Sequence, residues 1–385
     1  MNRIFSFTGA KMIVFGSGSL ERLPELVREQ GSGKPMLVLD GHLSGEGFRE
    51  RVEGILSAGN MSFGFFDRIT GEPELGLADE CAALCRDEGC DILVGIGGGS
   101  TLDVAKAAAV IVSNGGEAKD YLGLNKVPGP GLPKIMVPTT AGTGSEVTFT
   151  SVFIRSDLKK KEGMNSPYLY PELALLDPLL TLSVPAAVTA TTGMDALCHA
   201  IESYTSINAS PMSEMISLKA IELISSNLRT CVHNGGNLDA RGNMLLGSLY
   251  AGIGLANAGV TAVHSLSYPL GGKYGVPHGL ANTILLAPVM KYNLPGALEK
   301  FAVIAGVMGA AKGTMSRRGA AYAAVEAVRE LIRDCGIDTT ISKLGISEDE
   351  FPALAETAMT VKRPLDNNPR RMTEKDAIAV YREAY

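Results

Sequence analysis

The chain has 385 residues, a net charge of −6 and 20% charged residues. This acidic balance argues against a nucleic-acid partner, which selects a basic surface. No apolar run reaches the roughly 18 residues that a membrane span needs, and the N-terminal stretch lacks the apolar core of a secretory signal. We therefore expect a cytoplasmic globular protein with no nucleic-acid or membrane partner, and the length allows two domains with sizeable cores.

The six cysteines show neither a C-x-x-C pair nor the density of a disulfide scaffold. Cys81 and Cys85 are spaced to share one helix face, which suits a soft metal in principle. Their neighbours are more typical of amphipathic packing. We therefore predict reduced thiols, as in a reducing compartment.

In chain order, the first buried run is PMLVLD, which ends at Asp40. A carboxylate at a strand end binds both ribose hydroxyls of a dinucleotide and repels a 2′-phosphate, which favours NAD over NADP. An ordinary strand-ending aspartate explains the pattern equally well. Upstream, FGSGSL (15–20) is glycine-rich, but no buried strand and helix frame it. We interpret that segment as a turn.

Apolar runs alternate with helical stretches up to about residue 184, which predicts parallel βαβ units with right-handed crossovers. The predicted elements are strand 36–39, helix 46–58, strand 61–66, helix 74–89, strand 91–96, helix 101–113 and strand 134–137. Downstream of Pro185 the patterning is helical, over 186–206, 211–229, 239–257, 297–312 and 317–335. Asn234–Asn237 and Pro269 punctuate these stretches. We predict an α/β domain over 1–184 and an all-helical domain over 185–385.

A glycine run follows the predicted strand that ends at Ile96. Gly97, Gly98 and Gly99 have no Cβ, so their backbone N–H groups can face a pyrophosphate. Ser100 is placed to cap the following helix. The run is not a full G-x-G-x-x-G fingerprint, and an ordinary tight turn explains it equally well.

A second small-residue loop, TTAGTGSEVT, follows the strand 134–137. Its hydroxyl side chains are those of Thr139, Thr140, Thr143 and Thr148. Taken alone, the loop is typical of a polar surface turn. Two such loops at strand C-termini favour a ligand, because open α/β sheets bind ligands at that edge.

The chain has five histidines, and three of them fall into one candidate metal set. Asp195 and His199 share a helix face at i,i+4 spacing, His264 opens a helical stretch and His278 follows a proline. Three imidazoles and one carboxylate leave a divalent metal room for one exchangeable ligand, as in a catalytic site. The Asp-x-x-x-His pair alone is more often solvated or internally hydrogen-bonded.

Five segments in this order resemble the iron-dependent (group III) alcohol dehydrogenase family over essentially the whole chain. They are GGGSTLDVAK (97–106), PTTAGTGSEVT (138–148), ALLDP (174–178), TTGMDALCHAIE (191–202) and HSLSYPLGGKYGVPHGLAN (264–282). The resemblance implies a Rossmann-like α/β domain with a parallel sheet. An all-α metal-binding domain follows it, in a dehydroquinate synthase-like architecture.

Carried over residue by residue, the resemblance implies that Asp195, His199, His264 and His278 are the metal ligands. The implied cofactor contacts, besides Asp40, are Gly97, Gly98, Gly99, Ser100, Asp103, Thr139, Thr140, Thr143, Thr148, Lys161 and Leu179. Several relatives have a histidine at the position of Tyr268. A tyrosine, with an ordinary pKa of about 10, is a poorer proton shuttle near neutral pH. We assign Tyr268 as the candidate catalytic side chain. Glu72 replaces a turn residue that contacts the cofactor in many relatives.

The implied activity is hydride transfer between NAD(H) and a primary alcohol or aldehyde, at a site that lowers the pKa of the alcohol. Fe²⁺ is expected from the resemblance, whereas the ligands alone favour Zn²⁺. A hydroxyacid–oxoacid transhydrogenase, a 4-hydroxybutyrate-type dehydrogenase and a non-redox lyase are the alternatives. Thr150, Leu255 and residues 363–368 are the expected pocket lining, and the substrate stays open. Relatives are commonly homodimers or larger.

Overall fold

The computed structural model describes residues 4–43, 47–157 and 160–385. The chain forms two compact units. The first comprises Gly9–Thr140 and Gly144–Leu182, and the second comprises the N-terminal residues up to Thr8, Ala141–Thr143 and Ser183–Tyr385. The first unit contains every strand found among the described residues, and the second is helical. The predicted fold class, a parallel α/β unit followed by an all-helical one, is confirmed.

In the part of the chain that the structure describes, the first unit contains two sheets. Their strands are β1 (Met12–Phe15), β2 (Pro35–Asp40), β3 (Gly64–Ile69), β4 (Ile92–Gly97), β5 (Gly123–Leu124), β6 (Lys134–Pro138), β7 (Thr150–Arg155), β8 (Lys160–Asn165) and β9 (Leu173–Leu176). The larger sheet is parallel and has the order β1-β9-β6-β4-β2-β3, and the smaller sheet has the order β5-β8-β7. The helices of this unit are α1 (Leu23–Glu29), α2 (Phe48–Ala58), α3 (Gly76–Asp87) and α4 (Gly99–Asn114).

Strand β2 is apolar almost throughout because both of its faces are buried. Met36 and Val38 lie in a core with α3 and α4, whereas Leu37 and Leu39 lie in a second core with α1 and α2. Both faces of the sheet are therefore covered by helices, and each residue of the strand must be apolar whichever face it points to.

Several predicted boundaries differ from the structure, and several elements were not predicted, among them β1 and the pair β7 and β8. The segment FGSGSL was interpreted as a turn without a strand, but β1 ends at Phe15 and pairs with β9 at the sheet edge. Its residues are half-exposed, so no buried run marked it. The antiparallel pair β7 and β8 was missed because the apolar run of β7 is only three residues long and β8 is mostly polar and charged. The helix predicted from 46 begins at Phe48, and residue 46 itself lies outside the described residues.

A buried lysine ties α4 to the second small-residue loop. Lys106 is fully buried, and its ammonium donates to the carbonyl oxygen of Ser145 at 3.0 Å and to Thr148 Oγ1 at 3.3 Å. It also donates to the Thr150 carbonyl and pairs with Asp103 Oδ1 at 3.3 Å. Burial lowers the pKa of Lys106, and the Asp103 carboxylate opposes that shift. The loop 145–150 is thus fastened to the helix by one cation.

Glu146 lies in the same region with 1% of its surface exposed. Its Oε1 has no hydrogen-bond partner among the described residues. Burial raises the pKa of Glu146 to about 7, and Lys106 only partly offsets this. An acid with a raised folded-state pKa adds stability below its unfolded pKa and loses it as pH rises through the folded value.

We therefore expect the wild type to lose roughly 3 kcal/mol of unfolding free energy from this group as pH rises from about 4.5 to about 7. Glu146→Gln stays neutral, so its unfolding free energy should lack this decline. Urea denaturation at a series of pH values measures the difference, with Glu50→Gln as an exposed control. Parallel pH profiles for wild type and Glu146→Gln would contradict the assignment.

Within the described ranges, the second unit packs ten α-helices around one apolar core. They are α5 (Ala186–Thr205), α6 (Pro211–His233), α7 (Leu238–Ala258), α8 (Ala262–Tyr274), α9 (His278–Asn293), α10 (Leu298–Val307), α11 (Arg317–Asp334), α12 (Phe351–Met359), α13 (Lys362–Asn367) and α14 (Glu374–Glu383). Pro269 was predicted to interrupt the helical pattern, but it lies inside α8. A proline removes one intrahelical donor, and packing against α9 and α12 keeps this helix continuous.

Among the described residues, none of the helices is by itself both long and apolar enough to cross a membrane. Helices α7 and α8 together satisfy the length and composition, with a bend of 104° between them.

Candidate metal centre

Three helices of the second unit bring the four candidate ligands together. Asp195 and His199 lie one turn apart on α5, His264 lies in the first turn of α8, and His278 is the first residue of α9. Pro277 precedes α9 with extended backbone, so the helix starts at the ligand itself. The i,i+4 spacing on α5 places both side chains on one face.

The ligand atoms converge closely. His199 Nε2 lies 3.1 Å from His264 Nε2, and Asp195 Oδ1 lies 3.9 Å from both His199 Nε2 and His278 Nε2. All four ligand atoms lie within 4.8 Å of one another. Four ligands held about 2.1 Å from one cation would lie about 3.4 Å apart in a tetrahedral arrangement. The donor set therefore fits a divalent transition metal.

The cluster is buried on three sides and open at the fourth. Asp195, His199 and His264 are almost fully buried, whereas the His278 side chain is 30% exposed. A small molecule can therefore approach from the side of His278.

Glu202 supports the cluster from behind. It lies on α5 and accepts a hydrogen bond from Nδ1 of His264. Its other oxygen accepts from Thr261 N at 2.9 Å, Thr261 Oγ1 at 2.8 Å and Val263 N at 2.9 Å. These bonds hold the proton of His264 on Nδ1, which leaves the Nε2 lone pair directed at the cluster.

Electrostatics in the cluster favour a bound cation. Burial raises the pKa of Asp195, but His199, His278 and His264 bring it below its ordinary value. Burial also lowers the pKa of His199, against the nearby Asp195 charge. Burial lowers the pKa of His264 too, but the charge and hydrogen bond of Glu202 raise it by more, so it lies above its ordinary value. A buried carboxylate together with imidazoles, which bind a cation in their neutral form, is the usual donor set for a divalent metal.

One glycine allows the helices to approach. A Cβ on Gly279 would lie 2.6 Å from the Thr191 carbonyl oxygen and 3.5 Å from Asp195 Cβ. Any side chain there would push the first turn of α9 away from α5. Gly279 thus sets the separation between His278 and the α5 ligands.

Tyr268 lies one turn after His264 on α8. Its ring centroid is 6.4 Å from that of His264 and 6.1 Å from that of His278. The structure therefore brings the candidate catalytic side chain beside the candidate ligands, and its role stays a prediction.

In the first unit, the two small-residue loops meet at the carboxyl edge of the sheet. Strands β4 and β6 pair in parallel up to Gly97 and Pro138, and Thr139 N donates to the Gly97 carbonyl at 3.0 Å. A Cβ on Gly98 would lie 3.7 Å from Thr140 Oγ1. Helix α4 begins immediately after this point, so the first-turn amides lie beside the threonine loop.

The predicted capping role of Ser100 is wrong. Helix α4 starts at Gly99, so Gly98 is the N-cap and Ser100 is already helical. Gly98 offers no side chain, and the helix has no side-chain cap. Its first amides therefore keep their donors for an anion.

The other predicted cofactor residues lie outside the contact between these two strand ends, and one of them belongs to the helical unit. Asp103 accepts from Ser145 Oγ at 2.6 Å and Val152 N at 2.8 Å, and Thr148 is bound by Lys106. Lys161 Nζ donates to Glu72 at 2.6 Å, which joins a predicted cofactor contact to the residue that departs from the family's turn. The remaining predicted residues are Asp40 at the end of β2, Leu179 in the turn after β9, and Thr143, which groups with the helical unit.

Asp177 was quoted within the ALLDP segment but not assigned a role. It is fully buried and accepts from Gly18 N at 3.0 Å, Leu20 N at 3.2 Å and Leu179 N at 3.0 Å. It thus fastens the N-terminal glycine turn to the end of β9. In the sequence, the aspartate–proline pair after a buried strand was the feature that could have predicted this capping role.

Part of the predicted substrate loop lines a cavity in the helical unit. The cavity has a volume of about 420 Å³, and Arg363 and Asn367 line it together with Phe5, Asn208 and Glu214. Leu255 is half-buried on the neighbouring helix α7. In the first unit, Thr150 Oγ1 donates to Asn165 at 2.8 Å.

Comparison with known proteins identifies the class. Residues 10–178 match the model of the iron-containing alcohol dehydrogenases, and residues 189–385 match the C-terminal part of the Fe-containing alcohol dehydrogenase family. The chain therefore belongs to the iron-containing alcohol dehydrogenase family, and the predicted resemblance is confirmed. It is an oxidoreductase of that family.

Relatives within the family act on different substrates. The chain is 39% identical to long-chain-alcohol dehydrogenase 1 of Geobacillus thermodenitrificans, over 96% of this chain and 94% of that protein. A crystal structure of 1,3-propanediol oxidoreductase superposes with a TM-score of 0.96 at 36% identity, with 100% of both chains covered. Sulfoacetaldehyde reductase from Bifidobacterium kashiwanohense, in complex with NAD+, superposes with a TM-score of 0.89 at 29% identity, over 100% of this chain and 99% of that chain.

Proposed function

We propose that this chain is a metal-dependent dehydrogenase that transfers a hydride between NAD(H) and a primary alcohol or aldehyde. The observation that carries the proposal is the convergence of Asp195, His199, His264 and His278 within 4.8 Å. The family membership supports the reaction class. Relatives with alcohol, diol and sulfoacetaldehyde substrates support a small-molecule substrate and leave its identity open.

A divalent cation held by these four side chains would polarise the alcohol oxygen, while NAD would accept the hydride. The protein residues orient the reactants. Glu202 fixes the tautomer of His264, and the exposed side of His278 admits the substrate. Tyr268, beside both histidines, orients the substrate hydroxyl or a water.

For the cofactor we propose NAD over NADP, with Fe²⁺ as the metal. Asp40 at the end of β2 would accept from the ribose hydroxyls and repel a 2′-phosphate. The uncapped α4 N-terminus, with Gly97 and Thr140 beside it, suits the pyrophosphate. The NAD+ complex of sulfoacetaldehyde reductase supports this choice. The further proposed contacts are Gly98, Gly99, Ser100, Asp103, Thr139, Thr143, Thr148, Lys161 and Leu179.

We also propose two domains, 1–184 for the dinucleotide and 185–385 for the metal, in a homodimer or larger assembly. Six buried cysteines without a disulfide support a cytoplasmic location.

The test is NADH formation at 340 nm by protein reconstituted anaerobically with Fe²⁺, across a panel of primary alcohols and hydroxy acids. The proposal predicts alcohol-dependent NADH formation and a lower rate with NADP. If no alcohol or hydroxy acid of the panel produced NADH while NAD remained bound to the protein, the proposal would be overturned in favour of a transhydrogenase that keeps its cofactor.

A further inference from the structure

Asn282 lies against the candidate metal ligands, yet the proposed reaction gives it no role. It is fully buried on α9, one turn after His278. Its amide nitrogen lies 2.7 Å from Asp195 Oδ1, 3.1 Å from His278 Nε2 and 3.2 Å from His264 Nε2. The carboxamide thus covers the face that these three ligand atoms define.

The Asn282 carboxamide has more neighbouring acceptors than hydrogens to donate, and its own oxygen has no donor among the described residues. An amide nitrogen has two hydrogens, and three acceptors surround it. Its oxygen, Oδ1, is buried and has no hydrogen-bond partner within the ranges that the structure describes. A buried carbonyl without a partner costs free energy, because it has lost its bond to water.

A cation among the four candidate ligands would change the hydrogen bonds available to Asn282. It would bind the Nε2 lone pairs of His264 and His278 and the carboxylate of Asp195, to which the amide hydrogens otherwise donate. A cation also repels the N–H dipoles and attracts the carbonyl. A half-turn about the Cβ–Cγ bond exchanges the two amide atoms without moving the helix, because they have nearly the same shape.

We propose that Asn282 is a fifth protein ligand, whose amide oxygen faces the cation across the plane of Asp195, His264 and His278. This inference rests on the proposed metal site. Zn²⁺ in proteins favours four ligands, and carbonyl oxygens suit harder cations. A fifth oxygen ligand therefore biases the site away from Zn²⁺ and toward cations that accept five or six ligands.

The test uses Co²⁺, whose visible absorption is intense with four ligands and weaker with five. We expect Asn282→Leu to intensify the Co²⁺ spectrum and to weaken Co²⁺ affinity about 10–100-fold in a chelator competition. Zn²⁺ affinity should fall less. Asn282→Asp keeps an oxygen but lacks the amide hydrogens, so it should retain the five-ligand spectrum. Thr283→Val is the control, because the Thr283 hydroxyl donates to the Gly279 carbonyl of the same helix.

The outcomes separate the two proposals. If the wild type binds Co²⁺ and Asn282→Leu leaves both spectrum and affinities unchanged, Asn282 is no ligand, while the metal site stands. If Asn282→Asp behaves like a four-ligand site, the amide hydrogens matter and the inference fails. If the wild type itself binds no Co²⁺, the metal site and the inference fail together. Should Asn282→Leu not fold, the Asn282→Asp spectrum decides alone.

Discussion

Replacement of His264 by alanine should abolish alcohol-dependent NADH formation and metal retention. The residue supplies one of four converging candidate ligand atoms, and its ring is fixed by Glu202 behind it. Without His264, three candidate ligands remain, and Glu202 no longer receives the hydrogen bond from Nδ1 of that ring. We expect turnover to fall by at least about 1,000-fold, because the cation supplies several kcal/mol of transition-state stabilisation. Metal content after dialysis and NADH formation at saturating alcohol are the measurements.

His233→Ala is the matched control for this prediction. His233 is an exposed histidine of the same unit, and its ring contacts the Asp334 carbonyl at 2.7 Å, away from the cluster. It should keep both metal and activity. NAD binding, followed by fluorescence quenching or calorimetry, should survive in His264→Ala. Full activity in His264→Ala would disprove the ligand set.

Replacement of Lys106 by methionine should lower the unfolding free energy by about 3–5 kcal/mol. The substitution removes a buried ammonium that satisfies the carbonyls of Ser145 and Thr150 and the Asp103 carboxylate. Methionine keeps the volume but donates nothing, so each acceptor is left without its cation. Urea unfolding, followed by far-ultraviolet circular dichroism, measures the loss.

Lys119→Met is the control, because that lysine is exposed and pairs with Glu117 at the surface. Exposed pairs contribute about 1 kcal/mol or less. If Lys106→Met lost no more stability than this control, the buried cation would not fasten α4 to the loop 145–150.

Much of the fold followed from the sequence because buried parallel strands have apolar runs with sharp ends. Strand β2 was predicted for this reason, since both its faces are covered. The edge strand β1 was missed because Met12, Ile13 and Phe15 are each 42% exposed. Pro269 was misjudged for another reason. Tertiary contacts keep α8 intact, and such contacts leave no local sequence signal.

The candidate ligands were predicted because histidines are rare here, Asp195 and His199 have i,i+4 spacing, and the segments that contain them resemble the family. The two residues that contact these candidate ligands from neighbouring helical turns were not predicted. Glu202 and Asn282 each lie one turn from a ligand, within the quoted segments TTGMDALCHAIE and HSLSYPLGGKYGVPHGLAN. A glutamate or asparagine on a helix is usually solvent-exposed, so only the observed burial and hydrogen bonds distinguish these two.

The central claim is that Asp195, His199, His264 and His278 hold the cation on which activity depends. The most direct measurement is metal content and alcohol-dependent NADH formation in the same samples, during removal by chelator and return of Fe²⁺. The account predicts that activity follows bound metal in proportion, reaches its maximum at one ion per chain and returns with Fe²⁺. Undiminished activity in samples whose metal content has fallen to background would contradict it.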